Sequence, residues 1–275
     1  MIMPQAVIDS HAHVFSRDLP LAPGRRYAPN YDATLEQYLA LLDQHQVAYG
    51  VLVQPSFLGT DNSYMLEALH KSAGRCVGVA VVDPACHLEE LVALRAQRVK
   101  GIRLNLFGAD AVDLRQTHWQ QLFTHIKVLD MHVELHAPSS MLERYIAPIM
   151  ANDVALVIDH FGRPAMDQPF QIDPLAYLLS LADNDRIFIK VSAIYRIFRQ
   201  PQADSLNRLL SLFIRTFSSE KLMWGSDWPH TQHETEHRFS DSLNWALQHI
   251  QQPRDRQNIL YRTAAAFYNI KGDDK

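Results

Sequence analysis

The 275-residue sequence predicts an α/β protein of the (β/α)8 class, the TIM barrel. Short apolar runs rich in β-branched residues alternate with helix-length amphipathic segments, and the alternation occurs eight times. Strand–helix alternation implies parallel strands joined by right-handed crossovers. Eight such units, in a chain of this length, match a closed barrel. No glycine-rich dinucleotide fingerprint follows the first run, which disfavours a doubly wound open sheet.

The strand runs are 6–10, 50–54, 77–82, 101–106, 132–136, 154–159, 187–192 and 221–225. In the first helical segment Leu35, Tyr38, Leu39 and Leu42 recur at i, i+3, i+4 and i+7, with Thr34 or Asp32 as N-cap. Further helical segments are read at 63–73, 87–98, 117–130, 139–150, 174–183, 203–217, 239–250 and 254–268. Residues 16–33, with four Pro or Gly and Tyr27 and Tyr31, form a long first loop. Loops of that length in a compact domain tend to be functional. No linker, low-complexity tract or charge block divides the chain, so 1–275 is expected to be one domain.

Composition narrows the function classes. The sequence is 47% hydrophobic and 20% charged, ordinary for a soluble globular protein. A formal net charge of −4 and the lack of Lys/Arg runs argue against nucleic acid as partner. Cys76 and Cys86 are too few for a disulfide framework, and no signal peptide or membrane-length apolar run is seen. A cytoplasmic protein is expected, read as buried-thiol and without a membrane partner; a homo-oligomer is left open.

A barrel places its site at the C-terminal ends of the strands. His11 and His13 end the first run, and side chains two apart on a strand share a face. Arg103 and Asn105 lie on the fourth, His136 ends the fifth, and Asp159 and His160 end the sixth, followed by Phe161, Gly162, Arg163 and Pro164. Tyr195 and Arg196 follow the seventh run, and Ser226, Asp227, Trp228, Pro229 and His230 follow the eighth. His11, His13, His136 and Asp227 make a three-imidazole, one-carboxylate set for Zn2+ or Mn2+ with a position left for water. Such an ion acidifies its water and polarises a carbonyl. His160 is the expected acid or oxyanion partner. Arg103, Arg163 and Arg196 offer forks for an anionic substrate. A single strand-end histidine is often only a backbone-bonded structural residue; a set gathered at matching strand ends is not. His233-Glu234-Thr235-Glu236-His237 fits the zinc-protease pattern, but it lies in a polar stretch with no apolar face to bury a helix.

Taken together, the segments Ile8–Phe15, Gln54–Ser56 with Gly59–Asn62, Gly101–Asn105, Asp159–Pro164, Ser192–Arg196 and Trp224–His230 resemble the amidohydrolase superfamily. The resemblance spans the chain and is closest to the branch of 2-pyrone-4,6-dicarboxylate lactonase and related lactone hydrolases. It implies Asp227 as general base, His11, His13 and His160 facing the scissile carbonyl, and Arg103, Arg163 and Arg196 holding substrate carboxylate with Tyr27 nearby. Two departures stand out. The dicarboxylate lactonase works without metal and has Tyr where this chain has His136, so a divalent ion, Zn2+ first, is expected, with a metal-free route still open. It also uses a second Arg where this chain has Ala109, so a mono-acidic or sugar lactone fits as well as the dicarboxylate. A metal-dependent non-oxidative decarboxylase uses the same ligands and is the alternative chemistry; a binding protein on a decayed barrel is the non-enzymatic one.

Overall fold

A computed structural model describes residues 6–164, 171–198 and 203–271. Eight strands run in chain order around one sheet: β1 (Ile8–Ala12), β2 (Tyr49–Val53), β3 (Cys76–Ala80), β4 (Val99–Asn105), β5 (His132–His136), β6 (Ala155–Ile158), β7 (Ile187–Val191) and β8 (Leu222–Trp224). Each consecutive pair is parallel. The seam closes just beyond β8: the His13 N–H donates to the Trp228 carbonyl (2.8 Å) and the Asp227 N–H to the His11 carbonyl (2.9 Å). The predicted (β/α)8 barrel is therefore the observed architecture, with every predicted strand present to within two residues at either end.

The outer layer is α1 (Leu35–Gln44), α2 (Ser63–Lys71), α3 (Leu88–Ala96), α4 (Thr117–Val128), α5 (Leu142–Met150), α6 (Ala176–Ser180), α7 (Ala203–Phe217) and α8 (Phe239–His249). Helix α1 starts at Thr34, whose hydroxyl accepts from the Gln37 N–H while the Gln37 side chain accepts from the Thr34 N–H. This capping box satisfies two otherwise orphaned donors. Asp32 is taken instead by Arg17 (2.9 Å), which pins the two ends of the long loop. Among the described residues no helix is long and apolar enough to cross a membrane.

The predicted final helix, 254–268, is broken into α9 (Pro253–Gln257), a π-helical turn (Asn258–Arg262) and α10 (Thr263–Phe267). The break lets this segment plug the bottom of the barrel. Ala264 and Tyr268 are buried there with Ile8, Val51, Val77, Val157 and Met223. His132 of β5 enters the same floor, its ring 4.9 Å from Phe267 and 5.4 Å from Tyr268. Gly101 of β4 makes room for it, since a Cβ there would lie 2.4 Å from the imidazole. With alternating side chains, β5 thus sends His132 to the floor, Glu134 to the middle and His136 to the rim.

Burial pushes the His132 pKa down from 6.5 to about 4. Between those values the unfolded chain binds the proton and the folded chain does not, so stability rises with pH in that window. The contribution is fully present above pH 6.5 and lost as pH falls to about 4. Melting temperature is expected to fall over that range, and to fall less in His132→Gln; an unchanged slope in the variant would contradict this assignment.

Candidate active site

The middle of the barrel is ionic. Lys190 of β7, Glu134 of β5, Arg103 of β4 and Asp159 just past β6 are all buried. Lys190 Nζ donates to Glu134 Oε2, and Arg103 donates to Asp159 Oδ2 through Nε (3.1 Å) and Nη2 (2.9 Å). Two cations balance two anions, as they must where an unpaired ion costs several kcal/mol. Burial would raise both carboxyl pKa values. The surrounding charges of Lys190 and His11, with Arg103 at Asp159, outweigh it and hold both below the usual carboxylate range.

This layer supports His11. Its Nδ1 lies 3.0 Å from Lys190 Nζ and 3.4 Å from both Glu134 Oε1 and Asp159 Oδ1. Burial and Lys190 act to lower its pKa, but the two carboxylates prevail and it is raised. Between Asp9 and Ala12 the register of β1 slips against β2, an extra residue in the manner of a β-bulge. Asp9 faces the other way and fastens the seam: it accepts from Ser226 N (2.7 Å), Ser226 Oγ (2.6 Å) and Tyr38 Oη (2.9 Å).

Above lies the rim. Asp227 has φ +60°, and His160, Arg163, Ala193 and His230 also lie in the left-handed region. Non-glycine residues rarely adopt it, and such strain gathers at functional sites. The two oxygens of Asp227 are treated differently. Oδ2 accepts from Tyr195 Oη (2.5 Å) and Arg196 Nε (2.8 Å). Oδ1 faces three imidazole nitrogens, Nε2 of His11 (3.7 Å), of His13 (3.7 Å) and of His160 (4.0 Å). Burial would raise the Asp227 pKa, but Arg196 and the histidines hold it far below the usual range.

The outer nitrogens fix what each ring presents. His13 Nδ1 donates to the Val53 carbonyl (2.7 Å), which can only accept, so its Nε2 carries a lone pair toward Asp227. Burial depresses its pKa to about 4, leaving it neutral at neutral pH. His160 Nδ1 pairs with Ser192 Oγ (2.8 Å). His136 differs: its Nδ1 lies 3.4 Å from Arg103 Nη2, which can only donate, so the proton is on Nε2. His136 groups with Asp159 and His160, whereas His11, His160 and Asp227 form a separate ligand-distance group.

All nine sequence-derived residues lie at this end of the barrel. His13, Tyr27, Arg103, His136, His160, Arg163, Arg196 and Asp227 line one pocket, with His11 beneath it. The arginines divide into two kinds. Arg103 and Arg196 are committed to Asp159 and Asp227. Arg163 donates to the Arg196 carbonyl and lies 4.3 Å over the Phe107 ring, with its buried Nε unbonded. Arg26, from the first loop, also faces Phe107 (5.6 Å) and, among the described residues, donates to Asn105 Oδ1 (3.3 Å). With Arg103 neutralised by Asp159 and Arg196 by Asp227, Arg163 and Arg26 are the lining guanidiniums without a carboxylate partner among the described residues, so the pocket carries unneutralised positive charge. Burial, with the neighbouring Arg196 adding to it, lowers the Arg163 pKa to about 10.

A sequence model of the amidohydrolase family matches residues 8–270, from β1 through the floor plug. The chain belongs to the amidohydrolase family. It is 28% identical to a 4-sulfomuconolactone hydrolase of Rhizobium radiobacter over 284 residues, covering 98% of this chain and 91% of that one. It is 30% identical to a 2-pyrone-4,6-dicarboxylate hydrolase of Comamonas testosteroni over 240 residues, covering 83% and 78%. A solved Pseudomonas putida structure, provisionally assigned as a 2-pyrone-4,6-dicarboxylic acid hydrolase, shares 40% identity and a TM-score of 0.90, covering 98% of this chain and 99% of that one. With hydrolases among its relatives, this is an enzyme of the amidohydrolase family.

Sequence reasoning did not single out Lys190, Glu134, Asp9 or Arg26 in this amidohydrolase. The first two had a readable signal, because a barrel strand is buried on both faces. A lysine within Ile187–Val191 and a glutamate within His132–His136 must then point inward and be paired. Asp9 and Arg26 had none, since their partners come from distant parts of the chain.

Proposed function

We propose that this amidohydrolase opens the ring of an acidic lactone by water attack, with Asp227 as base. The carrying observation is the asymmetry of Asp227: one oxygen is held by Tyr195 and Arg196, the other is free among three imidazoles. The excess of guanidinium in the pocket, and the anionic lactones for which two relatives are named, support the same reading.

Water held at Oδ1 meets a carboxylate that Arg196 and the histidines favour in its ionised form. So acidic a carboxylate is a weak base at equilibrium, and acts here by position, with proton transfer timed to attack. The water oxygen bonds to the carbonyl carbon as its proton passes to Oδ1. The carbon–ring oxygen bond then breaks, and the departing oxygen takes that proton from Asp227. A carboxylate and a hydroxyl result, with one proton released to solvent. His136, carrying its proton on Nε2, is the donor for the developing oxyanion. Arg163 and Arg26 receive the anionic group of the substrate. Arg103 positions His136, and Arg196 positions Asp227.

Amidohydrolases are typically metal-dependent. The donors that fit an ion are Nε2 of His11 and His160 with Asp227 Oδ1, which lie within 4.8 Å of one another, and His13 Nε2, 3.7 Å from the same oxygen, is the candidate fourth. His11 Nε2 is buried without a partner, and its Nδ1 faces Glu134 and Asp159 (3.4 Å each), the usual outer support of a ligating imidazole. Nδ1 also faces Lys190 Nζ (3.0 Å), which is itself held by Glu134 Oε2, so ligation through Nε2 requires the Nδ1 proton to sit toward the carboxylates. His160 thus takes the place expected for His136. A bound Zn2+ or Mn2+ would supply carbonyl polarisation and a more acidic water.

Asp227→Asn is expected to lower kcat by at least about 100-fold in a pH-indicator assay on acidic lactones while leaving the fold intact; activity at the full rate would refute the proposed base. Separately, elemental analysis of protein purified without a His-tag is expected to find at least one Zn or Mn per chain, with one equivalent lost in His13→Asn. A fully active protein with no stoichiometric metal would leave the metal-free scheme, with the same Asp227.

A further inference from the structure

The His-Glu-Thr-Glu-His segment at 233–237 has no part in the chemistry above, and its structure is not that of a zinc protease. There is no helix of α8 length here, only a single turn in which the Glu236 and His237 N–H groups both donate to the His233 carbonyl (3.0 Å each). The i→i+4 bond nevertheless brings His233 and His237 to one side, as a helix would. Their ring centres are 6.1 Å apart. Glu234, which serves as base in the protease pattern, turns away and accepts from Tyr27 Oη (3.1 Å). Glu236 takes its place beside the imidazoles, with Oε2 3.4 Å from His233 Nδ1.

Ligand atoms of His233, Glu236 and His237 all lie within 4.8 Å of one another. Two borderline nitrogen donors and one carboxylate oxygen suit Zn2+ and its neighbours in the transition series, not Ca2+ or Mg2+, which favour oxygen. Three protein ligands leave positions for water, and partial exposure leaves an entry path. The turn is also held from outside. The His237 ring stacks on Tyr195 (4.2 Å between centres, 23° between planes), and Tyr195 meets His233 edge-on (5.0 Å). The two rings are therefore set before any ion arrives, which reduces the ordering cost of binding.

We infer that His233, Glu236 and His237 form a second, peripheral site for a divalent transition metal such as Zn2+, separate from the set around Asp227. It lies in the wall of the substrate pocket: Thr231 and Gln232 of the same loop line that pocket, and Tyr195 links the turn to Asp227 Oδ2. An ion here fastens this wall and the Tyr27–Glu234 tie to the first loop.

The test is Zn2+ titration of the whole protein, stripped by chelator, against a chromophoric zinc indicator. Wild type is expected to bind one more equivalent of Zn2+ than the His233→Ala/His237→Ala variant, whose fold is checked by circular dichroism because both rings are half-buried against Tyr195. Glu236→Gln is expected to keep that equivalent but weaken it by at least about tenfold. Equal stoichiometry in wild type and the double variant would overturn the site. An unchanged affinity in Glu236→Gln would overturn the three-ligand assignment. The readout is metal bound, not turnover, so it stands apart from the lactone proposal.

Discussion

One carboxylate, held by one of its two oxygens, organises this end of the barrel. Asp227 follows β8 at the seam, and its N–H closes the barrel onto the His11 carbonyl. The bond that completes the fold therefore also sets the distance between the carboxylate and the first-strand histidines. Tyr195 and Arg196, from the turn after β7, occupy Oδ2 and leave Oδ1 facing the imidazoles. Three strand ends must be in register for that arrangement to exist. Asp9 secures it from behind by gathering Ser226 and Tyr38 on the far side of β1.

The buried charges beneath are the cost of this arrangement and its support. Lys190, Glu134, Arg103 and Asp159 occupy space that apolar side chains could fill with comparable or greater stability. What they supply is orientation. Glu134 and Asp159 flank His11 Nδ1, and Arg103 holds the proton of His136 on the pocket side. The barrel is layered accordingly, with an apolar floor plugged by Ala264 and Tyr268, a neutral ionic middle and a positively charged mouth. A mouth with more guanidinium than carboxylate draws anions and discriminates against neutral rings.

Much of this was legible in the sequence, for identifiable reasons. Parallel barrel strands are buried on both faces, so they read as apolar runs with turn residues between them, and all eight were found. Polar residues at the ends of such runs stand out, which is how His11, His13, His136, His160 and Asp227 could be named together. Their division of labour could not be read. Whether an imidazole presents a lone pair or a proton depends on its other nitrogen, and the Val53 carbonyl and Arg103 are 40 and 33 residues away in sequence. The arginines were equally opaque: that Arg103 and Arg196 also hold the buried carboxylates Asp159 and Asp227 depends on contacts 56 and 31 residues apart in sequence. The end of the chain was misread as one helix because periodicity does not register a π-helical turn, such as the one at Asn258–Arg262.

The central claim is that water attacks the ring carbonyl of a lactone. Single turnover of an acidic lactone in 18O-labelled water tests it most directly. The account predicts one 18O atom in the newly formed carboxylate, none in the released hydroxyl, and no CO2. Label in the hydroxyl, or loss of CO2 from the substrate, would contradict it.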